Sequence, residues 1–157
     1  TGVEYVMFSV DFEMENGVHL HSMCRQIDGC SNAVGEIVYG TKGSWNSFDH
    51  EIKDLAGNVI WKYNEEEQKA LFQQHNPYVL EHVDAINHIR KGEGLDEATD
   101  CAISTLAGVM GRESAYSGET VTWDQMSQSD LDYMPEKLEL GKMDMSQHIV
   151  MTPGKAK

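Results

Sequence analysis

From Val6 to Met14, the apolar side chains Val6, Phe8, Val10, Phe12 and Met14 alternate with Met7, Ser9, Asp11 and Glu13. A period of two is the pattern of a half-buried strand. Glu15-Asn16-Gly17 follows, and Asn-Gly between two alternating runs is the strongest short hairpin signal. The returning strand runs from Val18 to Ile27, with Val18, Leu20, Ser22 and Cys24 on one face and His19, His21, Met23 and Arg25 on the other. Asp28 to Asn32 reads as a polar loop. Further strands are predicted over Val34 to Tyr39, Ser44 to Phe48, Glu51 to Leu55 and Val59 to Tyr63, the last two joined by the turn Ala56-Gly57-Asn58. Connections this short favour an antiparallel meander, because parallel strands need long crossovers.

Beyond these strands the period changes. Asn64 to Gln74 is charged and reads as a short helix or an ordered excursion. Pro77 suits a first helical turn, and Val79, Val83, Ile86 and Ile89 recur at helical spacing up to Gly92. Asp96 is placed to cap the next helix, whose stripe of Ala98, Ala102, Ile103, Leu106, Val109 and Met110 ends before Gly118. Its small residues Ala102, Ala107, Gly108 and Gly111 predict a close approach to something flat, for which a sheet face is the natural candidate. Glu119 to Trp123 reads as an edge strand leading into a short helix at Thr122-Trp123-Asp124, and the terminal MTPGKAK reads as a frayed end. The fold class is α+β: an open, mainly antiparallel sheet with two long helices on one face, a two-layer sandwich. A single domain is expected over residues 1–134, with an extension over 135–157. The other sheet face, with Tyr5, Met7, His21 and Met23, is too apolar for broad exposure and calls for another domain or subunit.

Charge narrows the choice of partner. With 26 acidic against 12 basic side chains, the formal charge of −14 repels phosphate backbones and anionic lipid. Nucleic acid and membrane are therefore not expected as partners, and the longest apolar runs are far short of a membrane span. Cys24, Cys30 and Cys101 are an odd number with no CxxC pair, which disfavours a disulfide framework and a zinc knuckle. Buried or half-buried thiols in a reducing compartment are the expectation.

Several motifs resemble sites and fail on spacing. GTKG at Gly40 to Gly43 is neither GxxxxGK followed by Ser or Thr nor GxGxxG between a strand and a helix. It reads as a hairpin turn whose glycines supply positive φ. Gly92-Glu93-Gly94 follows a helix and reads as a connecting loop. His19 and His21 share a strand face, His82 and His88 are misaligned on a helix, and no HExxH occurs, so no metal site is expected. Without a GxSxG elbow or a carboxylate pair that stands out, no catalytic residue is assigned. One mixed polar and aromatic cluster remains: Arg25 and Gln26 leaving the second strand, and His75-Asn76-Pro77-Tyr78 with His82 one turn on. Tyr78 and His82 are four apart and share a helix face. Surface capping accounts for such residues, and so does contact with a sugar or polyol. Arg25, Gln26, Tyr78 and His82 are the candidate substrate-binding positions.

Taken in order, SVDFEMENGVHLHSMCRQIDGC, GEIVYGTKGSW and NPYVLEHVDAINHIRKGEGLDEATDCAISTLAGVMGRESAYSGETVTWD resemble the C-terminal domain of the Gfo/Idh/MocA oxidoreductases, particularly the Bacteroidetes-type members. The resemblance runs from about Tyr5 to Met134. It implies an open-sheet α+β fold like the C-terminal domains of glucose-fructose oxidoreductase and dihydrodipicolinate reductase-type enzymes. It also implies a parent dehydrogenase with an N-terminal Rossmann domain holding NAD or NADP, oligomer contacts through the open sheet, and a sugar-like substrate at the rim. Hydride would pass between the nicotinamide and a carbinol carbon, assisted by a lysine of a Glu-Lys-Pro motif and a histidine of an Asp-xxx-His motif. Those motifs and the cofactor loop are absent from this sequence, so this chain is expected to bind no NAD(P) and to catalyse nothing alone. A cytoplasmic home is expected, with the periplasm left open. A stand-alone carbohydrate- or small-molecule-binding module is the alternative reading.

Overall fold

The structure is a computed structural model describing residues 5–72, 76–134, 138–142 and 151–154. The chain forms two compact units, one of Thr1–Gly29 with Glu97–Lys157 and one of Cys30–Asp96. The second unit is inserted between the two segments of the first. The fold is α+β with antiparallel pairing throughout, but the six strands form two sheets rather than one. Residues 26–36, which separate the second strand from the third, are longer than a hairpin connection.

In the first unit, β1 (Met7–Glu13) pairs with β2 (His19–Arg25). The hairpin closes where Met14 N donates to the Val18 carbonyl at 2.9 Å and Gly17 N to the Met14 carbonyl at 2.8 Å, with Gly17 at φ 76°. That is a three-residue loop whose last position only glycine occupies cheaply. Phe8, Val10 and Phe12 are half-buried and alternate with exposed neighbours, as the pattern predicts. The long helix Ala98–Ser117, third in chain order and hence α3, packs on β1. A Cβ added at Gly111 would fall 2.7 Å from the Phe12 ring tip, whereas one at Gly108 would meet nothing within 4 Å, so of the two glycines Gly111 alone marks a close approach to a sheet face.

Several details depart from expectation. Glu97, rather than Asp96, stands at the helix N-cap and makes no side-chain cap. Residues 119–122 form no strand; Thr122 instead closes a capping box with Gln125 at the start of α4 (Trp123–Ser127). That short helix packs on α3 and carries Met126, the most buried hydrophobic side chain described, at 7% exposure. Within MTPGKAK, Met151 to Gly154 are docked: Gly154 N donates to the Ser117 carbonyl at 2.9 Å and the Tyr5 hydroxyl donates to the Met151 carbonyl. Lys155 to Lys157 lie outside the described residues. Tyr5 is also not on the open face, for its ring meets Tyr116 of α3 edge-on at 4.8 Å.

The second unit is a meander of β3 (Ile37–Gly40), β4 (Gly43–Asn46), β5 (Glu51–Asp54) and β6 (Val59–Lys62), followed by α1 (Glu65–Phe72) and α2 (Pro77–Lys91). Gln73 and Gln74, expected at the end of the first helix, lie outside the described residues. Asn76 caps α2 by accepting from Tyr78 N at 3.0 Å, and Gly92 ends it in the left-handed region. Its apolar stripe of Val79, Val83 and Ile86 stays exposed. Of the two long helices, α3 is the one that packs on a strand of its own unit among the described residues.

GTKG is the two-residue turn Thr41-Lys42 between β3 and β4, as expected, but the reason for its glycines is different. Neither Gly40 nor Gly43 has positive φ. A Cβ on Gly43 would lie 2.1 Å from the Lys53 carbonyl oxygen of β5, so this glycine permits strand approach.

Candidate functional site

The hairpin of the first unit has two unlike faces. On the face turned away from Phe8, Val10 and Phe12, the register sets Met7 opposite Arg25, Ser9 opposite Met23, Asp11 opposite His21 and Glu13 opposite His19. Met7 and Met23 are 63% and 70% exposed. Side chains here bond diagonally. His19 Nδ1 donates to Asp11 Oδ2 at 2.9 Å, and Ser9 Oγ shares a hydrogen bond with His21 Nε2 at 3.0 Å. The hydrogen bond to Asp11, reinforced by that carboxylate's charge, raises the His19 pKa above its ordinary value.

A serine 3.0 Å from an imidazole has the spacing of a nucleophile and its base. Activation also needs a third group orienting the histidine and shelter from water. Here the nearby carboxylate, Asp11, is given to His19, and both Ser9 and His21 are exposed, so the pair makes a polar surface rather than a triad. No group of three or more His, Cys, Asp or Glu side chains among the described residues is arranged to hold a metal ion.

Of the sequence candidates, Arg25 ends β2 on this open face, and Gln26 follows it, its backbone N donating to the Val6 carbonyl at 2.7 Å. Tyr78 and His82 belong to the other unit. The structure brings those two together on α2, where His82 Nδ1 donates to the Tyr78 carbonyl at 2.8 Å. Tyr78 is 76% exposed, so its ring stands in solvent. His75 lies outside the described residues.

Two grooves accompany these surfaces. In the second unit, an open groove of about 360 Å³ runs over Val38, Trp45 and Ile52, with Thr41 and Lys42 at its end. In the first, a groove of about 320 Å³ lies between the covered hairpin face and α3, lined by Phe8, Val10, Phe12, Tyr116, Ser22 and Arg112, among others. Arg112 was missed by sequence reasoning. A lone cation within the apolar and small-residue stripe of α3 was the signal that could have found it. Tyr133 stacks on its guanidinium, 4.1 Å from ring centre to carbon, and the Tyr133 hydroxyl donates to the Glu113 carboxylate. Although 56% of Tyr133 is exposed, desolvation and then the Glu113 hydrogen bond hold its phenol above the usual range.

Cys24 and Cys101 are exposed and Cys30 is half-buried; all three are free thiols, so the expected burial applies at most to Cys30. No described helix is long and apolar enough to cross a membrane. No protein-family model, no curated protein and no solved structure matches this chain.

Proposed function

We propose that this chain is the substrate-side and oligomer-forming α+β region of an NAD(P)-dependent oxidoreductase of the Gfo/Idh/MocA type, acting on a sugar, polyol or related compound. The observation that carries this reading is the two-sided hairpin. One face lies under α3, while the other presents Met7, Met23, the Asp11–His19 and Ser9–His21 pairs and Arg25 in one uncovered layer. An exposed face mixing methionine with fixed polar groups suits a subunit or domain contact, where apolar centres meet satisfied polar neighbours. The ordered resemblance of three sequence segments supplies the enzyme class, and Arg25 and Gln26 at the end of β2 are the residues offered to substrate. Cofactor and catalytic proton carriers would reside in a Rossmann domain.

Reading the encoding gene upstream of Thr1, then titrating NADH calorimetrically into the longest in-frame product and into the present chain, tests the proposal. An in-frame strand, GxGxxG and helix, with micromolar NADH binding by the longer product alone, is the expected result. A stop codon directly upstream, or micromolar NADH binding by the present chain, overturns it.

A further inference from the structure

We infer that the inserted unit is completed by a second copy of this chain, α2 of each copy lying in the groove over Val38, Trp45 and Ile52 of the other. The inference is independent of the oxidoreductase reading and of the hairpin face, since every residue it uses belongs to Cys30–Asp96. Its first support is a missing core. No described residue between Cys30 and Asp96 is buried, although a sheet or an amphipathic helix becomes stable by covering its apolar face with another layer. Among the described residues of this unit, α2 makes no substantial contact with a strand.

The two uncovered surfaces match in kind. On the sheet, Val38 pairs with Trp45 and Trp45 with Ile52, so the three share one face, and the open groove above them reaches Ile60 as well. On the helix, Val79, Val83 and Ile86 stand at i, i+4 and i+7 and form a single exposed stripe. An apolar helix stripe laid into an apolar groove is a common mode of recognition, read as anchors at this same spacing.

Symmetry, area and charge select a second copy as the occupant. Because each chain carries both the groove and the stripe, one twofold-related pair closes both contacts and leaves neither surface over. Val38, Ile60, Val79, Val83, Ile86 and Ile89 are all exposed; over the two copies they amount to roughly 1,000 Å², the floor for a specific interface. Arg90, which continues the stripe, and Glu36, two residues before Val38, make no ion pair among the described residues, so each copy brings the other an uncommitted anion for an uncommitted cation. Repulsion between chains of formal charge −14 is screened beyond about 8 Å at physiological salt. A foreign basic partner, which that charge would also attract, would meet Arg90 with like charge.

The test is sedimentation equilibrium of the full chain carrying Met23→Asp, which disables any contact through the hairpin face and so lets the two contacts fail separately. A dimer at tens of micromolar is expected. Val83→Asp from the helix side and Ile60→Asp from the sheet side should each weaken that dimer at least about tenfold, since each buries an unpaired charge. In the unaltered chain, co-refolded from equal parts of isotope-labelled and unlabelled protein, isotope-filtered NMR should show contacts between the Trp45 ring of one copy and the Val83 methyls of the other. A monomer, a species larger than a dimer, a dimer unchanged by Val83→Asp, or contacts between Trp45 and Val83 confined to one chain overturns the inference.

Discussion

Gly111 and Phe12 meet across the interface between α3 and β1 so closely that a methyl group on the glycine would stand 2.7 Å from the ring tip. Gly108, one turn earlier on the same helix, has nothing within 4 Å of its would-be Cβ. Alanine should therefore act with opposite signs at the two positions. Gly108→Ala should stabilise the first unit by about 1 kcal/mol, the helix-propensity difference. Gly111→Ala gains the same propensity but overpacks the ring at a cost of about 1–3 kcal/mol, for a net loss. Urea unfolding midpoints of the two variants check the signs.

Gly43 faces a harder neighbour, the Lys53 backbone carbonyl at 2.1 Å from an added Cβ. A backbone oxygen cannot rotate aside, so Gly43→Ala should force β4 and β5 apart and cost about 3 kcal/mol, the upper part of the ordinary range. Gly40, whose added Cβ would make only a 3.5 Å contact, should tolerate alanine far better. Amide hydrogen exchange along β5 should quicken in the first variant and stay near its original rate in the second.

His19 titrates above its ordinary value because Asp11 binds its charged form. A pKa raised in the folded state contributes stability that is fully present below the unfolded value of about 6.5 and lost as pH rises through the folded one. Asp11→Asn should lower the His19 midpoint seen in imidazole NMR titrations and weaken this pH dependence, leaving the smaller contribution of the Glu13 charge. An unmoved midpoint would show that the 2.9 Å contact does not persist in solution.

Glu51 shows the reverse sign. Hydrogen bonds from Lys62 and then Lys53 hold its carboxyl below the ordinary range, with Nζ–Oε distances of 2.9 and 3.0 Å. Its contribution is present above the unfolded carboxylate value and fades as pH falls through the folded one. Carbon-detected titration should place the Glu51 midpoint higher in Lys62→Gln than in the unaltered chain.

Met23, the single methionine of β2, is 70% exposed on the open hairpin face. If that face is an oligomer contact, Met23→Asp buries a charge at the interface and should shift sedimentation toward a monomer. A chain already monomeric at tens of micromolar argues against the contact.

The alternation Phe8, Val10, Phe12 was legible because a strand's two faces are written directly in its residues, and the limits of α2 were legible because Pro77 and Gly92 act locally. The division into two sheets was not. Strand pairing beyond a hairpin depends on whether a longer connection returns to the same edge, and residues 26–36 carry no mark of that choice. Gly43 shows the same limit at atomic scale: its identity was visible, but the Lys53 carbonyl that requires it comes from a neighbouring strand. Tyr78 with His82 was visible as an i, i+4 pair, whereas Arg112 with Tyr133 joins residues far apart in the chain and left no spacing to recognise.

The insertion of Cys30–Asp96 between the two halves of the first unit also sets a timetable for synthesis. The hairpin leaves the ribosome before the insert and α3, and its apolar face waits for α3 while the whole inserted unit is translated, roughly 3 to 13 seconds at ~5–20 residues per second. During that interval Phe8, Val10 and Phe12 have no helix to cover them. A nascent chain in this state is a client for ribosome-associated chaperones, and slow codons within the insert would lengthen its exposure.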